Sequence, residues 1–367
     1  MKEKMLFLSA RRHATEQDKE EDHRTKNILG ILQERFDIDL LEDCCSSRSG
    51  SIKPLRTALS ERCRLQTYSH VFIPYNMPGT TLDLVASLLP GAFIITDARR
   101  AAGSETGRQT DGVNGFSRGY HKLNAALRRR EEQRVLSRTG LLLTATEWDA
   151  LSYKALSFAD ANKVHVIPPC IDLNKPPYNE HDKVSRENSV ILRWNTNTVQ
   201  GREQALVFIE SIYPLVKAAV ADSSCYIISI SGNVHPEVAA AVQRDSSLKI
   251  IGEAEEAAGY MRRARAVVAS LEEGCGDPAN ILEAWAHRTP VVSSLTGAEA
   301  LFCEPGRNIL LAETTDAYAE HLVRLLTMPE LGSIIADQAY RTLRKHYTAD
   351  SVRKKLLNLI SDMKIVK

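Results

Sequence analysis

The sequence predicts an α/β protein of two consecutive domains, each a parallel sheet covered by helices. Three observations lead there. Short apolar runs alternate with helical patterns along the chain, the order that a parallel sheet with crossover helices requires. A proline-rich polar stretch near the middle interrupts that alternation. The chain of 367 residues also exceeds what one ordinary hydrophobic core accommodates.

In the first half, Met5–Ser9 reads as a buried strand, and Thr25–Arg35 as a helix with Ile28, Leu29, Ile31 and Leu32 inward. Ile38–Leu41 is the next strand, His70–Pro74 another, and Leu82–Leu89 a helix. Ala92–Thr96 forms a strand ending at Asp97, a position at its carboxyl end that makes Asp97 a candidate catalytic residue. Tyr120–Ser137 is a basic helical stretch, followed by a strand at Leu141–Thr144, a helix at Glu147–Phe158 and a strand at Val164–Ile167. The segment Pro168–Asn188 then carries four prolines and no periodic apolar pattern. Proline stiffens such a segment and denies it helix, so residues 171–188 are assigned to a linker between domains 1–170 and 189–348.

The second half begins again with a strand at Val190–Arg193 and a helix at Gln204–Ala221, with Leu206, Ile209, Tyr213 and Val216 on one side. Strands at Tyr226–Ser231, Leu248–Ile251, Ala266–Ser270 and Val291–Ser294 alternate with helices at Pro236–Gln243, Ala257–Arg265 and Asn280–His287. Three closing helices are expected near Asp316–Leu326, Glu330–His346 and Asp350–Met363.

Composition excludes several classes. With 43% apolar and 25% charged residues the chain is not disordered as a whole. A net charge of +1 gives no overall field that would recruit nucleic acid or anionic lipid. Seven cysteines, none in a CxxC pair, point to a reduced compartment and no zinc site. The apolar run at the N-terminus is shorter than a signal sequence needs, and nothing approaches the length that spans a bilayer. These features place the protein in the cytoplasm. The basic stretch 122–138 holds six Arg/Lys against two Glu. It reads as a solvated connecting helix, with peripheral contact at the inner membrane face as the alternative. Lack of interleaved aromatics argues against nucleic acid.

The chemistry is concentrated in residues 266–294: a strand, the loop EEGCGDP, a helix and a strand. Parallel sheets bind ligands beyond the carboxyl ends of their strands, where this loop lies. Gly274 and Gly276, around Cys275, let backbone amides approach a phosphate, and the following helix offers an anion its unpaired N–H groups. Glu283, one turn into that helix, is within reach of a ribose hydroxyl pair. Glu273, before the glycines, is placed to meet a sugar hydroxyl and is the second candidate catalytic residue.

The order VVASL, EEGCGDPA, NILEAWAHRTPVV, GAEAL and GRNILL resembles the nucleotide-binding half of the retaining, GT-B-fold glycosyltransferases of family 4, also called group 1. That family carries K-I-L-E-A-M-A-x-G-x-P-V-V, then G-A-E-G-L and G-x-N-x-L-L. VHVIPPCID is similar to its V-x-V-I-P-N-G-V-D entry to the linker. The likeness is strong over about residues 140–365 and weak before. It implies two Rossmann-like domains facing a cleft, with the closing helix, 349–367, returning to the first. It also implies that Glu283 contacts the nucleotide ribose and that Gly274, Cys275 and Gly276 face the diphosphate and donor sugar. Gly297 and Ala298 lie at the turn beside them, Gly252 and Glu253 at the base-contacting loop, and Gly232 at the nucleotide crevice.

Four departures stand out. Nine residues, rather than seven, separate Glu273 from Glu283. The family's G-R-L-x-x-x-K-G turn reads RWNTNTVQGR here, with Trp194 for the glycine and Gln200 for the lysine. Arg193 and Arg202 are the candidate substitutes for the missing phosphate-binding cation. The N-terminal glycine loop is replaced by a charged stretch, and the family's D-x-H reads Asp97-Ala98-Arg99. The resemblance implies a glycosyltransferase moving a sugar from a nucleotide-activated donor to a glycan, lipid-linked or small-molecule acceptor. The expectation is a retaining reaction without a metal, and with no cofactor beyond the nucleotide-sugar co-substrate. The alternatives are a catalytically silent binding protein of the same fold and a sugar-nucleotide epimerase.

Overall fold

The computed structural model describes residues 2–9, 16–42, 53–74, 77, 80–98, 115–174, 185–229, 233–251, 254–271 and 278–362, with side chains of 16–23, 53, 115–123, 125 and 254–256 excepted. It contains two compact units, Met1–Pro168 with Arg353–Lys367, and Pro169–Val352.

The first unit is built on six parallel strands in the order β2-β1-β3-β4-β5-β6. These are β1 (Glu3–Leu8), β2 (Phe36–Leu41), β3 (His70–Ile73), β4 (Phe93–Asp97), β5 (Leu141–Thr144) and β6 (Val164–Val166). β3 and β5 are buried along their whole length, as strands covered on both faces must be. The connecting helices are α1 (Glu16–Arg35), α2 (Lys53–Leu65), α3 (Thr80–Leu88), α4 (Gly115–Arg138) and α5 (Glu147–Lys154). α2 is absent from the sequence reading. Its low mean hydropathy hides it, yet Leu55 and Leu59 are fully buried one turn apart, worth about 2 kcal/mol each. α5 ends earlier than expected, at Lys154, and its first turn is capped by Thr146, whose hydroxyl accepts from Asp149 N. In the basic stretch, Arg134 and Arg138 of α4 both pair with Asp83 of α3.

The second unit repeats the plan in the order β12-β11-β10-β7-β8-β9, again all parallel. Its strands are β7 (Glu187–Trp194), β8 (Ser224–Ser229), β9 (Leu248–Ile251), β10 (Ala264–Ser270), β11 (Val291–Ser293) and β12 (Leu310–Leu311). β7 starts three residues before the expected Val190, inside the stretch assigned to the linker, of which 175–184 lie outside the described residues. The helices are α6 (Val199–Val207), α7 (Tyr213–Ala219), α8 (Pro236–Val242), α9 (Ala254–Arg263), α10 (Pro278–Ala286) and α11 (Leu295–Ala298). α12 (Thr315–Thr327), α13 (Pro329–His346) and α14 (Ala349–Asp362) complete the chain. Between α6 and α7 the helix widens into a π-turn at Phe208–Ile212. Pro214 lacks an N–H and its ring crowds the preceding turn, so the wider turn relieves the clash. In α14, Arg353 Nε reaches both carboxylate oxygens of Glu34 on α1, at 2.6 and 2.7 Å. None of the described helices is long and apolar enough to cross a membrane.

Two features pin the lower edge of the second sheet. Arg186 is mostly buried and donates to the carbonyls of Ala264 and Arg288, and burial pushes its guanidinium down to about 10. Arg288 adopts a left-handed φ of 55°, at the position where the family motif has glycine. The side chain compensates: Nη1 lies 2.8 Å from Asp337, and the guanidinium carbon is 3.9 Å from the Tyr340 ring centroid. Arg288→Ala keeps the strained backbone and loses both contacts, whereas Arg288→Gly relaxes it. Urea unfolding will show the glycine variant more stable than the alanine variant by about 1 kcal/mol.

Candidate functional site

The second sheet reverses direction between β7 and β10. From β7 the chain steps outward to β8 and β9; from β10 it steps the other way to β11 and β12. The helices that leave these two strands therefore pack on opposite faces. α6 joins the core of Val190, Leu192 and Trp194, while α10 joins that of Ile191, Val267 and Ala269. The point above two strand ends from which helices diverge is the usual ligand position in an open parallel sheet.

Strand parity decides what enters it. Val190, Leu192 and Trp194 point to the α6 face; Ile191 and Arg193 point to the α10 face. Arg193 Nη1 lies 2.7 Å from Asn280 Oδ1 and 2.6 Å from Glu283 Oε2, and Asn280 Nδ2 donates back to the Arg193 carbonyl at 3.3 Å. Asn280 and Glu283 are three residues apart on α10, hence on one face. Asn280 is buried, while the Arg193 and Glu283 side chains keep 17% and 22% exposure. His287, one turn further, is buried. Desolvation, with the Arg262, Arg193 and Arg186 cations, pushes its imidazole down to about 4, so it is neutral at physiological pH.

On the α6 side, Trp194 is buried and its indole N–H donates to the Ala269 carbonyl at 2.8 Å, tying the ends of β7 and β10 together. Gln204, buried on α6, accepts from Leu271 N at 3.1 Å through Oε1, and its Nε2 has no partner among the described residues. Thr198 caps α6 by accepting from Gly201 N. A Cβ at Gly201 would stand 2.1 Å from the Asn195 carbonyl, so this turn closes only with glycine. Gly297, in α11, donates its N–H to the capping hydroxyl of Ser294, and a Cβ there would meet Ser270 Cβ at 2.6 Å and Ser293 Oγ at 2.7 Å. Ala298 beside it is buried. The Tyr318 hydroxyl donates to the Ser270 carbonyl at 2.5 Å.

Among the expected site residues, Arg193 and Glu283 thus converge, and Gly297 and Ala298 pack beside the end of β10. Arg202 is occupied elsewhere, with Nε 3.1 Å from Glu237 and Nη1 3.3 Å from His235 at the start of α8. Asp97 belongs to the first unit. It is 1% exposed, and Arg24 of α1 engages both its oxygens, through Nε at 3.2 and 3.1 Å and Nη2 at 2.8 Å. The same guanidinium donates to the Ile167 carbonyl. Glu273, Gly274, Cys275, Gly276, Gly232, Gly252 and Glu253 lie outside the described residues. Among the described residues no three His, Cys, Asp or Glu side chains form a group able to hold a metal. Sequence reasoning missed Asn280, Gly201 and Gln204. The spacing of Asn280 three residues before Glu283 was the available signal for the first.

Residues 196–328 match the family model described as glycosyl transferases group 1. No curated protein matches the sequence. Sucrose-phosphate synthase from Thermosynechococcus elongatus is similar over the full length of both chains, with TM-score 0.69 and 12% identity. A variant of S. aureus TarM in complex with fondaparinux, alpha-GlcNAc-glycerol and UDP gives TM-score 0.60 and 15% identity, over 83% of this chain and 58% of that one. A putative UDP-N-acetylglucosamine 2-epimerase from Listeria monocytogenes gives TM-score 0.63 and 13% identity, over 100% and 98%. At these identities the likeness establishes the fold, which is that of the GT-B glycosyltransferases.

The Arg24–Asp97 pair yields a direct check on the first unit. Asp97→Ala leaves a largely buried guanidinium without its counter-charge. The variant will lose about 3 kcal/mol of stability in urea, and Asp97→Asn less, because the amide oxygen still accepts one bond.

Proposed function

We propose that the chain is a glycosyltransferase that holds a nucleotide-activated sugar in the C-terminal domain and passes the sugar to an acceptor. The observation that carries this reading is the position of Glu283. It stands beside the strand end where the sheet reverses, partly exposed and paired with Arg193, inside the segment that matches the family model. In this reading Glu283 receives the ribose hydroxyls. The loop 272–277 and the first turn of α10 face the diphosphate, with Arg193 as the nearby cation in place of the lysine replaced by Gln200. Transfer with retention then depends on positioning the donor and stabilising the departing diphosphate. Backbone amides and a guanidinium supply that stabilisation without a metal. The basic stretch 122–138 is read as a solvated connecting helix, since Arg134 and Arg138 are committed to Asp83.

A second reading is favoured by the similarity to a protein described as a putative sugar-nucleotide epimerase. It shares the donor site and differs only in what happens to the sugar.

Thermal melts against UDP, GDP, TDP and ADP sugars test the donor site. A ligand at a hundred times its Kd stabilises the protein by about 2.7 kcal/mol, and the matching nucleotide will raise the Tm of the intact chain by about 5 °C or more. Glu283→Ala will abolish the rise. If no nucleotide sugar shifts the melt, the proposal fails. With the matching donor, NMR of the product will show the anomeric configuration kept, and EDTA will leave turnover unchanged. An epimerised sugar nucleotide formed without acceptor would replace the first reading by the second.

A further inference from the structure

We infer that Arg193 and Asn280 are positioning residues that fix the Glu283 carboxylate and so set a preference for ribonucleotides over 2′-deoxyribonucleotides. The inference rests on the donor-site reading and adds to it two residues and a selectivity.

Asn280 grips Arg193 at both ends. Its Oδ1 receives Nη1 at 2.7 Å, and its Nδ2 donates to the Arg193 carbonyl at 3.3 Å, so strand and side chain are held by one buried amide. The same Nη1 then lies 2.6 Å from Glu283 Oε2. Glu283 is therefore not a flexible helix carboxylate. One oxygen is spent, and Oε1 has no partner among the described residues.

Three consequences follow. A glutamate otherwise loses side-chain rotamer freedom when it binds a ligand; here the ion pair has already removed most of it. A single oxygen aimed in a fixed direction accepts well from a hydroxyl at one place, and a ligand lacking that hydroxyl leaves a half-desolvated carboxylate unpaired. The neighbouring His287 is neutral, so it brings no second positive charge to the carboxylate. The arrangement requires a guanidinium. One nitrogen, Nη1, meets both Asn280 and Glu283, and a lysine ammonium sits one atom nearer the backbone, so it keeps the charge but falls short of the pair.

The test uses the full-length protein and calorimetric titration with UDP, GDP and ADP, each against its 2′-deoxy form. The wild-type chain will prefer the ribo form of its best nucleotide by about tenfold or more, the scale of one hydrogen bond to a charged group. Asn280→Ala and Arg193→Lys will each bring that ratio to within about twofold of unity, the loss falling on the ribo form. Asn280→Ser serves the same purpose if the alanine variant does not fold, with circular dichroism as the check. A ratio that stays at the wild-type value in both variants but vanishes in Glu283→Ala overturns the inference, because Glu283 would then read the sugar unaided. A wild-type chain that binds tightly with no ribo preference overturns it too, while leaving the donor site standing. Failure of wild-type protein to bind any of the six, or TDP, sinks the donor reading itself.

Discussion

The reversal of strand order between β7 and β10 is the constraint from which the C-terminal site follows. Right-handed crossovers that run in opposite directions from adjacent strands must place their helices on opposite faces. α6 and α10 obey this, each packing into a different core. Arg193 and Glu283 keep partial solvent access at the strand ends, while the strands beneath are closed by apolar side chains. Arg193 is the penultimate residue of β7, and its neighbours Leu192 and Trp194 are buried on the other face. Moving β7 by one residue would exchange Trp194 and Arg193 between the faces, burying a guanidinium in the α6 core. The hydrophobic register therefore fixes the site as firmly as it fixes the fold.

Several positions where the family motif carries glycine or lysine are occupied differently here, and the structure shows local compensation at three. Trp194 stands for a glycine and fills the end of the α6 core, its N–H satisfied by Ala269. Arg288 stands for another glycine, and the left-handed backbone survives because its long side chain gains an ion pair and an aromatic face. Asn280 stands where the motif has lysine, three residues before Glu283; the cation beside that carboxylate comes instead from Arg193 on the strand. Gly201 is different. The Asn195 carbonyl approaches so closely that no side chain fits, and glycine is kept.

Much of this was legible in advance. The strand order of residue types gave most of the parallel strands because buried strands such as LLLT and AVVAS are continuous apolar runs. Elements with few apolar residues were not legible. α2 contributes only a short buried stripe amid charged side chains, and β12 is two residues long. At the site, Arg193 and Glu283 stood out separately, but their pairing did not. The sequence treats Arg193 and Arg202 as equal candidates for a phosphate. Only parity on β7 and the packing of α6 against α8 separate them, sending one towards Glu283 and the other to Glu237. Asn280 was passed over because an asparagine in a helix carries no signal until the strand opposite it is known.

The two units use the same chemical pair to different effect, and the difference explains why a carboxylate at a strand end is not by itself a site. In the first, the acid is on the strand and the arginine on the helix: Arg24 saturates both oxygens of Asp97 and then reaches the Ile167 carbonyl. A carboxylate so enclosed, 1% exposed and with three contacts from one guanidinium, ties α1 to the ends of β4 and β6. In the second, the arginine is on the strand and the acid on the helix, and Asn280 shares with the carboxylate the one nitrogen, Nη1, that reaches it. One oxygen of Glu283 is held and the other is left to accept. Among the described residues two nitrogens reach the first carboxylate and one reaches the second, and that number is what separates a closed anchor from a carboxylate with an oxygen to spare.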